Sequence, residues 1–432
     1  MFFSLQKYIA KLTHAQKAAL SARVFTGLLC LLFACIFAFN QLVPSYVIKD
    51  MFENNQKLSS LDHSKLKNKY EVFGFAPYWT LNKMENVDFG VLTTLAYFGV
   101  GVNPDGTLDT TSPGYTKFYS DSATALFQKA HTNGARVVLT VTQMDNSTIV
   151  AFLSDPSAQK KAIDNIVSLV AERGIDGVNI DFEYVGDTNP DTKNKFSQFV
   201  SNLSNAVHSK LDGSYVTVSV YASSARSEKL YDIAELSRTT DGIFMMAYDF
   251  ATTGSDNAMP TAPLYGYKEG KYWYDISTAV TDFLSKMPKE KLILGLPWYG
   301  YNYPVTTPAI KAQKDYGYYS YYWYRGRRYK TFIGRPGAYA ATYATAKNVT
   351  PDMQGWDDTA QVGWQAYKGD DGWRMIFLDD ARSLSVKYDF AKAKGLGGVG
   401  MWALGFDDGN TELWQLLENK FGKKLVASNI VP

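Results

Sequence analysis

Thiols are nearly missing from this 432-residue chain. Its two cysteines, Cys30 and Cys35, lie together in one apolar run near the N-terminus. The rest of the sequence has none, which excludes a disulfide framework or a cysteine-ligated metal there. Histidine is scarce too: four residues and no His-x-x-x-His pair, so no metal site and no cofactor is expected. Excess charge is absent as well. A net charge of +2 gives no reason to expect nucleic acid as a partner. No internal repeat and no low-complexity segment is present. Acidic residues are missing from the first 49 positions.

That acid-free start frames an anchor. Lys7, Lys11, Lys17 and Arg23 precede an apolar stretch over 24–43. Its length is close to the roughly 20 residues that cross a hydrocarbon core. The basic flank places residues 1–23 in the cytoplasm and the rest of the chain outside. The expectation is a single-pass membrane protein; the alternative is a secreted protein after signal cleavage. Residues 44–69 are polar and charged and read as a linker.

What is plentiful lies downstream. Aromatics make up 15% of the chain. From Tyr70, apolar β-branched runs alternate with amphipathic stretches. Strand candidates are 72–78, 93–102, 135–141, 176–183, 215–222, 242–248, 292–297 and 398–403. Helix candidates between and after them include 121–132, 156–173, 192–211, 230–236, 276–287 and 412–421, with Gly174 placed to stop the second. Eight such units predict an α/β fold, a (β/α)8 TIM barrel over 70–422, with 423–432 as a tail. The gap between the seventh and eighth strands is too long for a loop. Residues 301–393 are expected to form a small α+β insertion walling the cleft, with a helix over 384–394 returning the chain to the barrel. The Tyr-rich run 316–324 is expected to pack within that insertion.

The sharpest feature is Asp176-Gly177-Val178-Asn179-Ile180-Asp181-Phe182-Glu183. Apolar and polar residues alternate with period two, so Asn179, Asp181 and Glu183 share one strand face. Carboxylates at i and i+2 have Cα atoms about 6.6–6.8 Å apart. Charges held that close raise the proton affinity of at least one partner, which suits a general acid.

This octapeptide resembles the Asp-Gly-x-Asp-x-Asp-x-Glu signature of glycoside hydrolase family 18, the chitinases and related N-acetylglucosaminidases. Three further segments are similar to that family in the same order: Met246-Ala247-Tyr248-Asp249, Gly295-Leu296-Pro297-Trp298-Tyr299-Gly300, and Gly397-Gly398-Val399-Gly400-Met401-Trp402-Ala403. The resemblance implies cleavage of β-1,4 bonds next to N-acetylglucosamine, in chitin, chito-oligosaccharide or peptidoglycan, by a monomer. It implies substrate assistance, in which the sugar's own acetamido oxygen attacks C1. Glu183 would protonate the leaving oxygen and later activate water. Asp181 would orient the acetamido N–H, Tyr248 would bond its oxygen, and Trp402 would floor the sugar. Met246, Asp249, Trp79, Trp298 and Tyr299 are further candidates for the cleft, and Asn179 for a contact with Asp181. Two positions depart from the pattern. Asn179 stands where most members carry Asp, and Thr140-Val141-Thr142-Gln143 replaces Ser-x-Gly-Gly. A silent lectin on the same barrel is the alternative, and retention of Glu183 counts against it.

Overall fold

The computed structural model describes residues 69–422. The expected anchor at 24–43, its flank, nearly all of the linker and the tail lie outside the described residues. Among the described residues no helix is long and apolar enough to cross a membrane.

Eight parallel strands close a barrel. They are β1 Glu71–Pro77, β2 Thr94–Gly101, β3 Arg136–Gln143, β4 Gly177–Phe182, β5 Tyr215–Tyr221, β6 Gly242–Met246, β7 Leu292–Pro297 and β15 Gly398–Trp402. Each pairs with its neighbour in sequence, and β1 pairs with both β2 and β15, which removes any free edge. The expected strands match in order and differ by a few residues at their ends.

Strand alternation sorts side chains into two layers. Outward residues such as Val137, Leu139, Val178, Ile180 and Phe182 join the helices in one large core. Inward residues, including Phe73, Phe75, Val138, Phe244, Met246 and Ile293, fill the barrel itself. The Phe244 ring needs Gly295 and Gly400 beside it: a Cβ at either would stand 2.3 or 2.4 Å from it. That is why the seventh and eighth strands carry glycine mid-strand.

The helices form where capping and periodicity agree. Asp155 caps Pro156–Arg173 through the Ser157 N–H, and Gly174 ends it at φ 61°, in the left-handed region glycine tolerates. Pro190–Lys210 starts two residues before expectation, because Asn189 caps it and Pro190 fits the first turn. The helix Asn146–Ser154, capped by Asp145, was not expected from the sequence; its nine residues span barely two turns of periodicity.

The insertion begins earlier than expected, at Tyr299. One residue, Trp298, separates β7 from β8 Tyr299–Pro304. The following strands are β9 Gly317–Tyr324, β10 Arg327–Gly334, β11 Tyr339–Thr342, β12 Met353–Asp357, β13 Val362–Gly369 and β14 Gly372–Leu378. Five of them form an antiparallel sheet in the order β11-β8-β14-β13-β12. The helix Ala381–Lys394 then leads back to β15. The Tyr-rich run does not pack inside this sheet, contrary to expectation. It is β9 of a separate two-stranded hairpin with β10, and its side chains are exposed.

Candidate active site

The C-terminal ends of the barrel strands open into one cavity of about 530 Å³. β4 supplies Asp181 and, one residue past its end, Glu183. The intervening Phe182 points the other way, into Phe152, Phe196 and Phe199, with ring centroids 5.8–5.9 Å apart. That aromatic packing, with the Glu183 N–H donating to the Gln143 carbonyl at 2.9 Å, fixes both carboxyls on the cavity side. Phe182 is fastened further by the Tyr231 hydroxyl, which donates to its carbonyl at 2.7 Å.

Both carboxyls hold protons more tightly than usual. Burial raises Asp181 well above the ordinary carboxylate range, and the neighbouring Glu183 charge adds to it. Burial also raises Glu183; a hydrogen bond from Tyr221 opposes this, and the Asp249 charge reinforces it. Oδ1 of Asp181 is buried and makes no hydrogen bond within the protein. An unpaired buried acceptor is costly and marks a place built for an incoming donor.

Tyr248 lies two residues beyond β6 and lines the same cavity. Burial, then the charges of Asp181, Glu183 and Asp249, raise its phenol, which therefore stays a donor. Asp249, at φ 59°, is gripped by hydroxyls: Tyr299 at 2.5 Å, Tyr301 at 2.7 Å and Thr261 at 3.2 Å all donate to its Oδ1. Trp402, at the end of β15, packs among Phe75, Phe98 and Trp79, with centroids 4.8–6.3 Å away. Met246, Trp79 and Tyr299 also line the cavity.

Two expected site residues stand elsewhere. Trp298 is fully buried and meets Trp414 edge-on at 5.1 Å, so it packs the barrel against the last helix. Asn179 is fully buried one layer below the cavity and does not line it. Its amide donates to Ser219 at 3.0 Å and its oxygen accepts from Thr217 at 2.9 Å, so its bonds go to β5 instead of Asp181.

Sequence reasoning missed Tyr221 and Tyr301. Tyr221 ends β5 on the inward face, a position that the strand pattern could have flagged. Tyr301 fell inside the assumed insertion. The departure at the third strand now has a shape: Gln143 donates to the Val102 carbonyl at 2.6 Å and accepts from the N–H groups of Met144 and Asp145 at 2.9 Å. This turn sets Met144 into the cavity wall.

A model of the Glycosyl hydrolases family 18 matches residues 71–407, most of the chain and every residue lining the cavity. The chain belongs to this family. It is a glycosidase family, and the relatives found are named as chitobiases, chitinases and a cortical fragment-lytic enzyme. Rat di-N-acetylchitobiase is 25% identical over 327 residues, covering 74% of this chain and 77% of its own. The cortical fragment-lytic enzyme of Bacillus anthracis is 24% identical over 343 residues, covering 76% and 68%. Probable chitinase 10 of Drosophila melanogaster is 25% identical, but the match spans 12% of that protein. The fold of an Ostrinia furnacalis Group IV chitinase, solved with allosamidin, superposes with a TM-score of 0.67 at 20% identity over 82% of this chain and 97% of that one.

Proposed function

We propose that the protein hydrolyses β-1,4 bonds next to N-acetylglucosamine with retention, using the substrate's acetamido group as nucleophile. The observation that carries this is the placement of Asp181 and Glu183. Two carboxyls on one strand approach a sugar from the same side, whereas a nucleophile–acid pair must flank the scissile bond. The pair therefore suits a reaction in which the sugar attacks itself.

Each residue then has a role that its surroundings support. Glu183, kept protonated by burial, gives its proton to the bridging oxygen. The acetamido oxygen attacks C1 as that bond breaks. The free Oδ1 of Asp181 accepts the acetamido N–H, and the developing positive charge steadies its ionised form. Tyr248 donates to the acetamido oxygen, and Trp402 supplies the apolar floor. Glu183, now ionised, takes a proton from water, which opens the cyclic intermediate and returns the enzyme.

The relatives support the substrate class: a Cycas revoluta chitinase of this fold was solved with (GlcNAc)4. Human YKL-39, also of this fold, is described as a pseudo-chitinase with retained chitooligosaccharide binding, which keeps a lectin as the second reading. Turnover of a fluorogenic N-acetylglucosamine oligomer separates the two. The hydrolase reading predicts cleavage that falls about 10²–10⁴-fold in Glu183→Gln. Binding with no turnover by the unsubstituted protein would establish the lectin.

Within that class, one side chain favours strands that carry carboxylates. Among the described residues lining the cavity, Lys229 is the single cation, and the acids are Asp181, Glu183 and Asp249. Its ammonium sits 5.5 Å from the centre of the Tyr221 ring and makes no ion pair among the described residues. Its backbone is held at φ 47°, its carbonyl accepts from Thr188, and the preceding Glu228 is clamped by Lys193 and Lys286. A cation offered to the cavity from a fixed backbone suits an acidic substituent on the bound strand, as in the glycan of peptidoglycan. The ratio of kcat/KM on carboxylate-bearing to neutral oligomers should fall about 10-fold in Lys229→Gln and persist in Lys229→Arg. An unchanged ratio removes this preference. For the chain as a whole, the apolar run at 24–43 supports tethering to a membrane facing such a polymer.

A further inference from the structure

The β9–β10 hairpin is built unlike the rest of the fold. From residue 316 to 351 the chain has no acidic residue, and the hairpin carries Arg325, Arg327, Arg328 and Lys330, all exposed. Its strands pair in register from Tyr324↔Arg327 to Gly317↔Gly334. Cross-strand partners share a face. One face therefore holds Tyr318, Tyr322, Tyr324, Tyr329 and Ile333, and the other Tyr319, Tyr321, Trp323 and Phe332.

Both faces are open. Trp323 is 72% exposed and the tyrosines of β9 are 51–55% exposed. The side chains meet mainly one another. Tyr322 and Tyr329 stack at 5.6 Å and 18°, Tyr319 meets Phe332 at 5.3 Å, Lys330 lies 3.5 Å over the Tyr319 ring and Arg328 4.1 Å over Tyr321. A lone two-stranded hairpin is marginal in water, and rings half in solvent add little core. Folding alone does not account for so many exposed aromatics; contiguous patches of this kind mark interaction surfaces.

We propose that this hairpin is a second binding surface, separate from the catalytic cavity, for an anionic polysaccharide strand. The charge complementarity is one-sided: four cations and no acid call for a polyanion. The aromatic chemistry chooses among polyanions. Six of the eight rings on the two strands are tyrosines, and Ile333 is the one large aliphatic. Phenols are costly to bury in hydrocarbon without partners but bond freely to hydroxyl-rich chains. Sugar rings present C–H faces that stack on such platforms while their acidic groups meet the neighbouring cations. Eight residues per strand give a platform about 26 Å long, suited to an extended polymer. A bilayer would engage the tip; here the rings run the full length on both faces.

The test is co-sedimentation of the full chain with insoluble carboxylate-bearing cell-wall glycan, insoluble neutral chitin, and vesicles containing anionic phospholipid, at about 0.05 and 0.5 M salt. Two variants accompany it. One changes Arg325, Arg327, Arg328 and Lys330 to Gln; the other is Tyr322→Ser with Tyr329→Ser. The proposal expects salt-sensitive retention on the acidic glycan, at least ~10-fold weaker in the first variant, since four exposed charges are neutralised at once. It expects weaker retention in the second variant at both salt concentrations. Thermal unfolding checks that each variant is folded, and the salt dependence of the unsubstituted protein needs no variant at all. Retention unaffected by salt and by both variants overturns the proposal. So does binding to vesicles without binding to glycan, or self-association that accounts for the pelleted protein. Hydrolysis of a soluble oligomer, measured on the same samples, reports on the catalytic reading separately.

Discussion

Asp181→Asn should flatten the pH dependence of stability while lowering turnover. Burial, and then the Glu183 charge, raise the Asp181 pKa in the folded state. Unfolded, the group returns to about 3.9. A raised folded pKa contributes stability that is fully present below about pH 4 and is lost as pH climbs through the folded value. Each pH unit in that window costs the native protein up to about 1.4 kcal/mol through this one group. Asparagine has the same shape and does not titrate. Denaturant unfolding of both proteins from pH 4 to 8 should therefore show the unsubstituted protein losing ground to the variant as pH rises. Turnover moves the other way. The substitution puts a neutral amide where the carboxyl ionises as positive charge develops, weakening a charge-assisted bond to the acetamido N–H worth about 1.5–3 kcal/mol, or roughly 10- to 150-fold in rate. Glu183 stays protonated because its own burial comes first among its causes. If the two stability curves run parallel from pH 4 to 8, burial does not hold a proton on Asp181 and the reasoning fails.

Other outcomes follow from neighbouring residues. Asn179→Asp places a second acid where Thr217 and Ser219 now hold a neutral amide, so the acidic limb of the kcat profile should shift; an unmoved limb means that position 179 is not coupled to the Asp181–Glu183 pair. Trp298→Phe should cost about 1–3 kcal/mol in unfolding experiments and leave KM within about twofold, since the indole packs on Trp414 and not on substrate; a large rise in KM with full stability would return it to the cleft. Tyr248→Phe keeps the ring and loses the donor, so kcat should fall about 10- to 100-fold with KM little changed; a loss confined to KM would give Tyr248 a binding role alone.

The barrel was legible because its units repeat and their signals agree. Val178, Ile180 and Phe182 alternate with Asn179, Asp181 and Glu183, and the structure places the first set in the helical layer and the second inward. The helices over 121–132 and 156–173 match expectation to the residue: Ser120 and Asp155 cap their starts in the structure, and Gly174 stops the second, as the sequence indicated. Which inward residues reach the cavity was less legible. Trp298 and Tyr299 are adjacent in sequence, yet one is buried on Trp414 and the other bonds Asp249, because the chain passes straight from β7 into β8. Alternation alone does not say which side of that junction faces the sugar. Asn179 shares a face with Asp181 but lies deeper, a difference of depth that period two does not encode. Tyr221 and Tyr301 act through partners distant in sequence, Glu183 and Asp249. The hairpin 317–334 escaped sequence reasoning because a dense aromatic run ordinarily signals core, and here it is turned to solvent.

The proposed chemistry rests on an amide in the substrate acting as nucleophile. The direct measurement compares kcat/KM for two fluorogenic oligomers that differ only at the reacting sugar, one with its 2-acetamido group and one with a 2-hydroxyl. Substrate assistance predicts turnover of the first and a loss of at least ~10³-fold for the second, as befits an intramolecular nucleophile of high effective molarity. Equal cleavage of both would contradict it.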